Sequence, residues 1–293
     1  MYRIAFFSDF HLRKVDEDFH RALALIRDAV NPDGDVCADH VVITGDIVDC
    51  AQIDVLEMFA ENLAEMNLIS SGEITVVPGN HDNFPWSKEK PFLKPSRPTG
   101  NWEQFCRLFG RTLRGRESKR LIRGEVYPVG KKLTSNAVLT ALDSTRNNTY
   151  DPFKWASGEL PQDHVDAIKR FFSDNRSAKH RIVVMHHCPW ADLYDSESPL
   201  FPMGMAIPDS RDAVRWLKAA GTTLILCGHY HTLDGVKRKQ LAQGMLGFRA
   251  GTAGGADEEE IRAYHVINLQ DNGRVIITVR RFDPSELMFD WIS

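Results

Sequence analysis

Apolar positions along this chain recur with two alternating periods. Residues 2–7, Tyr2-Arg3-Ile4-Ala5-Phe6-Phe7, carry five apolar or aromatic side chains and read as a buried strand. Residues 18–30 switch to helical spacing, apolar at Phe19, Ala22, Leu23, Leu25, Ile26, Ala29 and Val30, until Asn31-Pro32-Asp33-Gly34 stops them. A strand over 40–43, a helix over 53–66 and a strand over 73–77 follow. Strands alternating with helices in this way predict βαβ units, hence a largely parallel sheet covered on both faces. Further strands are predicted over 137–142, 181–185 and 222–227. Helices are predicted over 157–172, with Pro161 in the first turn, and from Asp209 or Ser210 to Ala220, ended by Gly221. Runs 264–269 and 274–280 flank Asn272-Gly273, a hairpin signal.

Two stretches lack either period. Residues 83–130 hold Pro85, Pro91, Pro95, Pro98 and Pro128 and a helix-like piece over 101–109, with too few apolar residues for a core of their own. Residues 191–208 form a long loop that reads as a lid or substrate wall. The expected organisation is one α/β domain over 1–293, with an elaboration at about 83–132 and a lid-like loop at about 191–208.

Composition narrows the class. With 43% hydrophobic and 26% charged residues the chain is ordinary for a globular protein. No apolar run reaches the roughly 18 residues of a membrane helix, and no signal peptide precedes the first strand, so no membrane association is expected. Cys37, Cys50, Cys106, Cys188 and Cys227 are odd in number and not closely paired, which fits a reduced, cytoplasmic protein. The net charge of −4 hides an asymmetry: residues 86–132 carry thirteen Lys and Arg against four Glu, a local +9. That segment is a candidate anion-facing surface, and the route by which nucleic acid would bind.

The strand ends carry the chemistry. They bear Asp9 and His11; Asp46 and Asp49; Asn80, His81 and Asp82; His186 and His187; His229 and His231. Alternation along an extended backbone would put Asp9 and His11 on one side, as half a metal site. In parallel sheets, reactive groups gather at the carboxyl ends of strands. Five such ends, each after an apolar strand and beside a small or turn-forming residue, point to one shared metal centre.

In order, Asp9-Phe10-His11, Gly45-Asp46-Ile47-Val48-Asp49, Gly79-Asn80-His81-Asp82, His186 and Gly228-His229-Tyr230-His231 resemble the signature of the calcineurin-like metallophosphoesterase superfamily, with no motif missing. The resemblance implies a four-layer αββα sandwich of two mixed sheets flanked by helices, with a dinuclear metal site at the strand carboxyl ends. One metal would be held by Asp9, His11, Asp46 and His231, and the other by Asp46, Asn80, His186 and His229. This N/O donor set suits divalent or trivalent Mn, Fe, Zn or Co more than Mg or Ca. His187 competes with His186 for one place. His186, the first after the strand, is expected to be the ligand, although Cys188 intervenes before the Pro189 that the family usually has two residues on. The implied reaction is attack on phosphorus by a bridging hydroxide. His81 would serve as general acid, with Asp82 or Asp49 orienting an imidazole. Asp49 equally suits the N-terminus of the helix that follows. Gly45, Gly79 and Gly228 would let the backbone turn beneath the metals.

The short Asp-x-His-Leu opening resembles the bacterial cyclic-nucleotide-phosphodiesterase branch, so a small phosphodiester is the expected substrate. A phosphomonoesterase is the first alternative, a DNA nuclease using the basic segment the second, and a non-catalytic binding scaffold the third. The sequence leaves the oligomeric state open.

Overall fold

The computed structural model describes residues 1–83, 99–110, 112, 117–145, 157–190, 207, 210–229, 237–250, 263–283 and 288–292. In chain order the elements are β1 (Tyr2–Phe7), α1 (Glu17–Val30), β2 (His40–Ile43), α2 (Ile53–Glu65), α3 (Leu68–Ser71), β3 (Ile74–Val76), α4 (Asn80–Asn83), α5 (Thr99–Phe109), β4 (Ser118–Arg120), β5 (Val129–Lys132), β6 (Ala137–Ala141), α6 (Gln162–Asp174), β7 (His180–Val184), α7 (Ser210–Ala219), β8 (Leu224–Cys227), β9 (Lys237–Ala242), β10 (Met245–Arg249), β11 (Ala263–Leu269), β12 (Val275–Asp283) and β13 (Met288–Ile292).

These strands form two mixed sheets. One has six strands in the order β13-β12-β11-β1-β2-β3, and the other seven in the order β4-β5-β6-β7-β8-β10-β9. The parallel strands are neighbours: β1, β2 and β3 at one end of the first sheet, β6, β7, β8 and β10 in the middle of the second. Strand alternation explains the layering. Ile4 and Phe6 of β1 face the second sheet, where they join Ile182, Val184, Leu224 and Leu226. Ala5 and Phe7 face the other way, against Phe19, Leu23 and Ile26 of α1 and Phe59 of α2. In the second sheet Val183 and Ile225 turn outward to Ile168 and Phe172 of α6 and Leu217 of α7. Helices therefore cover both outer faces, and the layers run αββα as the resemblance implies. Strands buried on both faces show continuous apolar runs, which is why they were legible.

Some elements differ from expectation. The helix expected over 157–172 starts at Gln162, because Pro161 occupies the cap position, with an extended backbone at φ −62 and ψ 142. Residues 157–160 are a non-helical, largely buried approach to it. The stretch expected to be irregular contains β4 and β5, and the hairpin of β9 and β10 gave no pattern. β4 reads Ser-Lys-Arg and β9 begins Lys-Arg-Lys; both are edge strands, whose polar residues carry no period-2 signal. The Asn272-Gly273 hairpin does join β11 to β12, with Gly273 at φ +94. No described helix is long and apolar enough to cross a membrane. Most of the lid-like loop, and Lys88, Lys90, Lys94, Arg97, Arg111, Arg114 and Arg116 of the basic segment, lie outside the described residues. Among its described members, Arg107 pairs with Glu57 at 2.6 Å, and Lys119 with Asp174 at 3.5 Å. Lys131 donates to the carbonyls of Gly72, Ile74 and Thr112.

Among the polar groups between the sheets is an imidazole. His265 of β11 lies beside Phe6 in register, with its ring 5.0 Å from that of Phe248, and burial lowers its pKa to about 4. The unfolded chain then binds a proton at His265 that the fold refuses, so stability should fall as pH drops from about 6.5 to about 4. The loss from this one residue reaches about 3 kcal/mol at the lower end. Urea unfolding of wild type and His265→Leu at pH 7 and pH 4.5 measures it: the variant should lose less stability on acidification, and equal losses would show that His265 is not the group responsible.

Candidate metal centre

The loops that follow β1 and β2 continue side by side beyond the strands. Asp9 N–H donates to Gly45 O at 3.0 Å, His11 N–H to Asp46 O at 2.9 Å, and Leu12 N–H to Ile47 O at 2.9 Å. This pairing bends both chains through left-handed backbone at non-glycine residues: Asp9 at φ +56, His11 at +49 and Asp46 at +50, with His229 at +76 from the loop after β8. Asp9 and His11 therefore meet through a strained turn, not through the strand alternation expected, because β1 ends at Phe7.

Asp82 binds the next loop to this pair. Its Oδ1 accepts from Ile47 N–H at 2.8 Å and Val48 N–H at 3.1 Å, and its Oδ2 from Gly79 N–H at 2.9 Å. Its carboxylate thus serves backbone, not the imidazole proposed for it. Burial and the Asp46 charge push the Asp82 carboxyl up to about 7, while the N–H donors of Gly79 and Val48 pull it down. Gly79 is needed for space: a Cβ there would overlap Asp46 Oδ1 and Asp46 N.

On this frame the side chains converge. His186 Nδ1 lies 2.7 Å from Thr44 O. A carbonyl only accepts, so Nδ1 carries a proton, and Nε2 presents its lone pair when the ring is neutral. That Nε2 lies 3.1 Å from Asn80 Oδ1, 3.1 Å from His229 Nδ1 and 3.3 Å from Asp46 Oδ2. His11 Nε2 approaches from the other side, 3.9 Å from both Asp9 Oδ1 and Asp46 Oδ2. Asp46 Oδ2, buried and without a hydrogen bond among the described residues, sits between the two groups. Asp46 Oδ1 accepts from His81 N–H at 2.8 Å, and the Asp9 carboxylate accepts from His229 N–H.

This donor set fits a metal. His11, Asp46 and His81, and likewise Asp9, Asp46 and His186, each bring three ligand-type atoms within 4.8 Å of one another. Once the His186 ring is neutral, its Nε2 lone pair faces the oxygens of Asn80 and Asp46, an arrangement that suits a cation. Burial works against charge on His186, but the carboxylates of Asp46 and Asp9 outweigh it and raise the imidazole to about 9. A divalent ion answers that same negative charge.

Asp49 and His81 flank the cluster. Asp49 Oδ1 lies 3.6 Å from His11 Nδ1 and 3.4 Å from His81 Nδ1, and its Oδ2 accepts from Arg13 Nε at 2.8 Å. These imidazoles hold the Asp49 carboxyl well below the usual range. Burial would lower His81, yet Asp46 and Asp49 raise it to about 9. His187 turns towards Ser144, with Nδ1 2.9 Å from Ser144 Oγ. The structure thus draws together Asp9, His11, Asp46, Asn80, His186 and His229, with Asp49 and His81 at the side. His231 lies outside the described residues. Pattern reading passed over the Thr44 carbonyl and Ser144; a polar Asp-Ser-Thr directly after β6 was the one available signal for the latter.

Asp82→Asn sets an amide NH2 against one of the three backbone donors. We expect a loss of about 3 kcal/mol in urea unfolding. A midpoint equal to wild type would show that the carboxylate does not hold the loops.

The calcineurin-like phosphoesterase family model matches residues 2–233. No curated protein matches the chain. Among solved structures, a dimetal phosphatase from Danio rerio superposes with a TM-score of 0.61 at 12% identity, covering 96% of this chain and 95% of that one. GAP50, the anchor in the inner membrane complex of Plasmodium, gives a TM-score of 0.50 at 12% identity, covering 100% and 88%. At that identity both show the fold alone.

Proposed function

The chain belongs to the calcineurin-like phosphoesterase family, and from that premise we propose that it hydrolyses a small phosphodiester at a two-metal centre held by Asp9, His11, Asp46, Asn80, His186, His229 and His231. The observation that carries the proposal is the convergence of Asn80 Oδ1, His229 Nδ1 and Asp46 Oδ2 on His186 Nε2. When bound, two such cations, Mn, Fe, Zn or Co by this donor set, make a water nucleophilic at neutral pH and neutralise charge on the phosphoryl oxygens.

The chain's own residues supply the rest. Asp46, placed between the two clusters, is the bridging candidate. Asp49 fixes the ring of His11 through Nδ1, leaving Nε2 for the centre. His81 has Nδ1 2.5 Å from Asp49 O, so Nε2 is the atom that would hand a proton to the departing alkoxide. A raised pKa keeps that proton in place at neutral pH. Arg13 donates to Asp49, which commits a cation of the first loop to the centre itself and not to a substrate dianion. That commitment, with the Asp-x-His-Leu opening, supports a diester over a monoester. Residues 1–293 are taken as one domain in which 83–132 and 191–208 select the ester.

Metal analysis paired with hydrolysis of bis- and mono-nitrophenyl phosphate, with manganese supplied, tests this. Near two metals per chain and faster diester cleavage are expected; faster monoester cleavage would assign a phosphomonoesterase instead. Absence of both metal and turnover in folded protein would defeat the enzyme reading.

Asn80→Ala should lose one metal. His81→Ala should keep both and slow alkyl esters by about 10²-fold or more while sparing nitrophenyl esters. Equal slowing of both ester types would remove His81 from the acid role.

A further inference from the structure

Beside His186 and His229 lies a third imidazole, His187, with a ring nitrogen within 4.8 Å of theirs, which the proposed ligand set leaves unassigned. It is buried, with its ring centroid 4.5 Å from that of His229 and 4.9 Å from that of His186. An imidazole turns about a broad, roughly two-fold torsion, so its plane is set by what surrounds it and not by rotamer preference. Thr44 O sets the plane of His186. His229 packs against two rings, His187 at 4.5 Å and His186 at 4.9 Å, and His187 is the one outside the proposed ligand set.

His187 is in turn held by the turn after β6, Asp143-Ser144-Thr145. Ser144 Oγ accepts the His187 backbone N–H at 3.1 Å and lies 2.9 Å from His187 Nδ1. The register of β6 on β7, Ala141 opposite Val184, brings this turn beside the histidine pair. A Cβ at Gly158 would overlap His187 Cβ and Cγ, so the seat is cut to the imidazole. The same turn holds that seat, since Glu159 N–H donates to Ser144 O at 2.9 Å. It also grips the helix that begins with Asn80: Asn83 Nδ2 donates to Thr145 Oγ1 at 2.9 Å, and Thr145 Oγ1 donates to Asp143 Oδ1 at 2.6 Å. One three-residue turn is thereby tied to both segments that bring Asn80 and His186 to the centre.

We propose that Ser144 is a positioning residue of the metal centre: through His187 it sets the plane of His229, and with it the affinity of the subsite built from Asn80, His186 and His229. The inference rests on the two-metal reading above. Partners of this kind, acting on a ligand from behind, change metal affinity by about 10- to 100-fold when removed.

The experiment is a calorimetric titration of metal-stripped protein with manganese, with melting of the stripped protein as control. Ser144→Ala should weaken one of the two binding steps about tenfold or more, leaving the other step and the melting temperature near wild type. Ser144→Thr, which keeps the hydroxyl, should restore the step. Gly158→Ala displaces the ring with Ser144 intact and should give the same one-step loss. Two unchanged steps in both Ser144→Ala and Gly158→Ala would overturn the inference, as would both steps falling together with the melting temperature. If His187→Ala abolishes a step outright, as His186→Ala should, then His187 is a ligand and the positioning role is wrong. A wild-type protein that takes up no manganese defeats the two-metal reading itself.

Discussion

Two carboxylates, Asp9 and Asp46, are buried where the strands of both sheets end. A buried ion without partners costs several kcal/mol, a large fraction of the 5–15 kcal/mol that typically separates folded from unfolded chains. The rim of the sandwich is arranged around that charge. Backbone N–H groups of His229 and His81 point at the two carboxylates, and His11 and His186 stand beside them. Further out, Asp49 orients two imidazoles and Asp82 fastens the loops. Burial within this rim leaves Asp46 ionised despite its desolvation, because three imidazoles hold its carboxyl well below the usual range.

The same arrangement stores strain. Asp9, His11, Asp46 and His229 all take left-handed backbone, which costs a non-glycine residue about 1 kcal/mol or more. Such conformations persist where neighbours over-determine them, and here the backbone hydrogen bonds between the loops after β1 and β2 hold Asp9, His11 and Asp46, while the Asp9 carboxylate holds the His229 N–H. The ligand-type atoms are thus placed by backbone and not by side-chain reach alone. A centre built this way is organised before any substrate arrives, the condition under which fixed charges act most strongly on a transition state.

The two sheets contribute unequally. The first supplies Asp9, Asp46, Asn80 and His81 from three parallel strand ends. The second supplies imidazoles from β7 and β8 and, one strand further out, the Asp143-Ser144-Thr145 turn. The centre exists only because the sheets meet face to face with their parallel strands pointing the same way. Residues 9 and 229 come together across 220 positions of sequence.

The alternation of buried strands and amphipathic helices, and the polar residues closing each strand, were written in local pattern, so the layers and most of the converging side chains could be read from the chain. The sequence by itself determined which atoms stand at the strand ends, since β1, β2 and β3 each end on an apolar residue and the carboxylates and imidazoles follow in the turns. Only the tertiary structure decided how those atoms are used. Asp82 and Asp49 look alike in sequence, yet one meets three backbone N–H groups and the other two imidazoles, because each loop's partner comes from another strand. His186 and His187 differ by one position, and the face of β7 that each follows turns one towards Asp46 and the other towards Ser144. No local period encodes such choices, for they depend on where a second sheet lies.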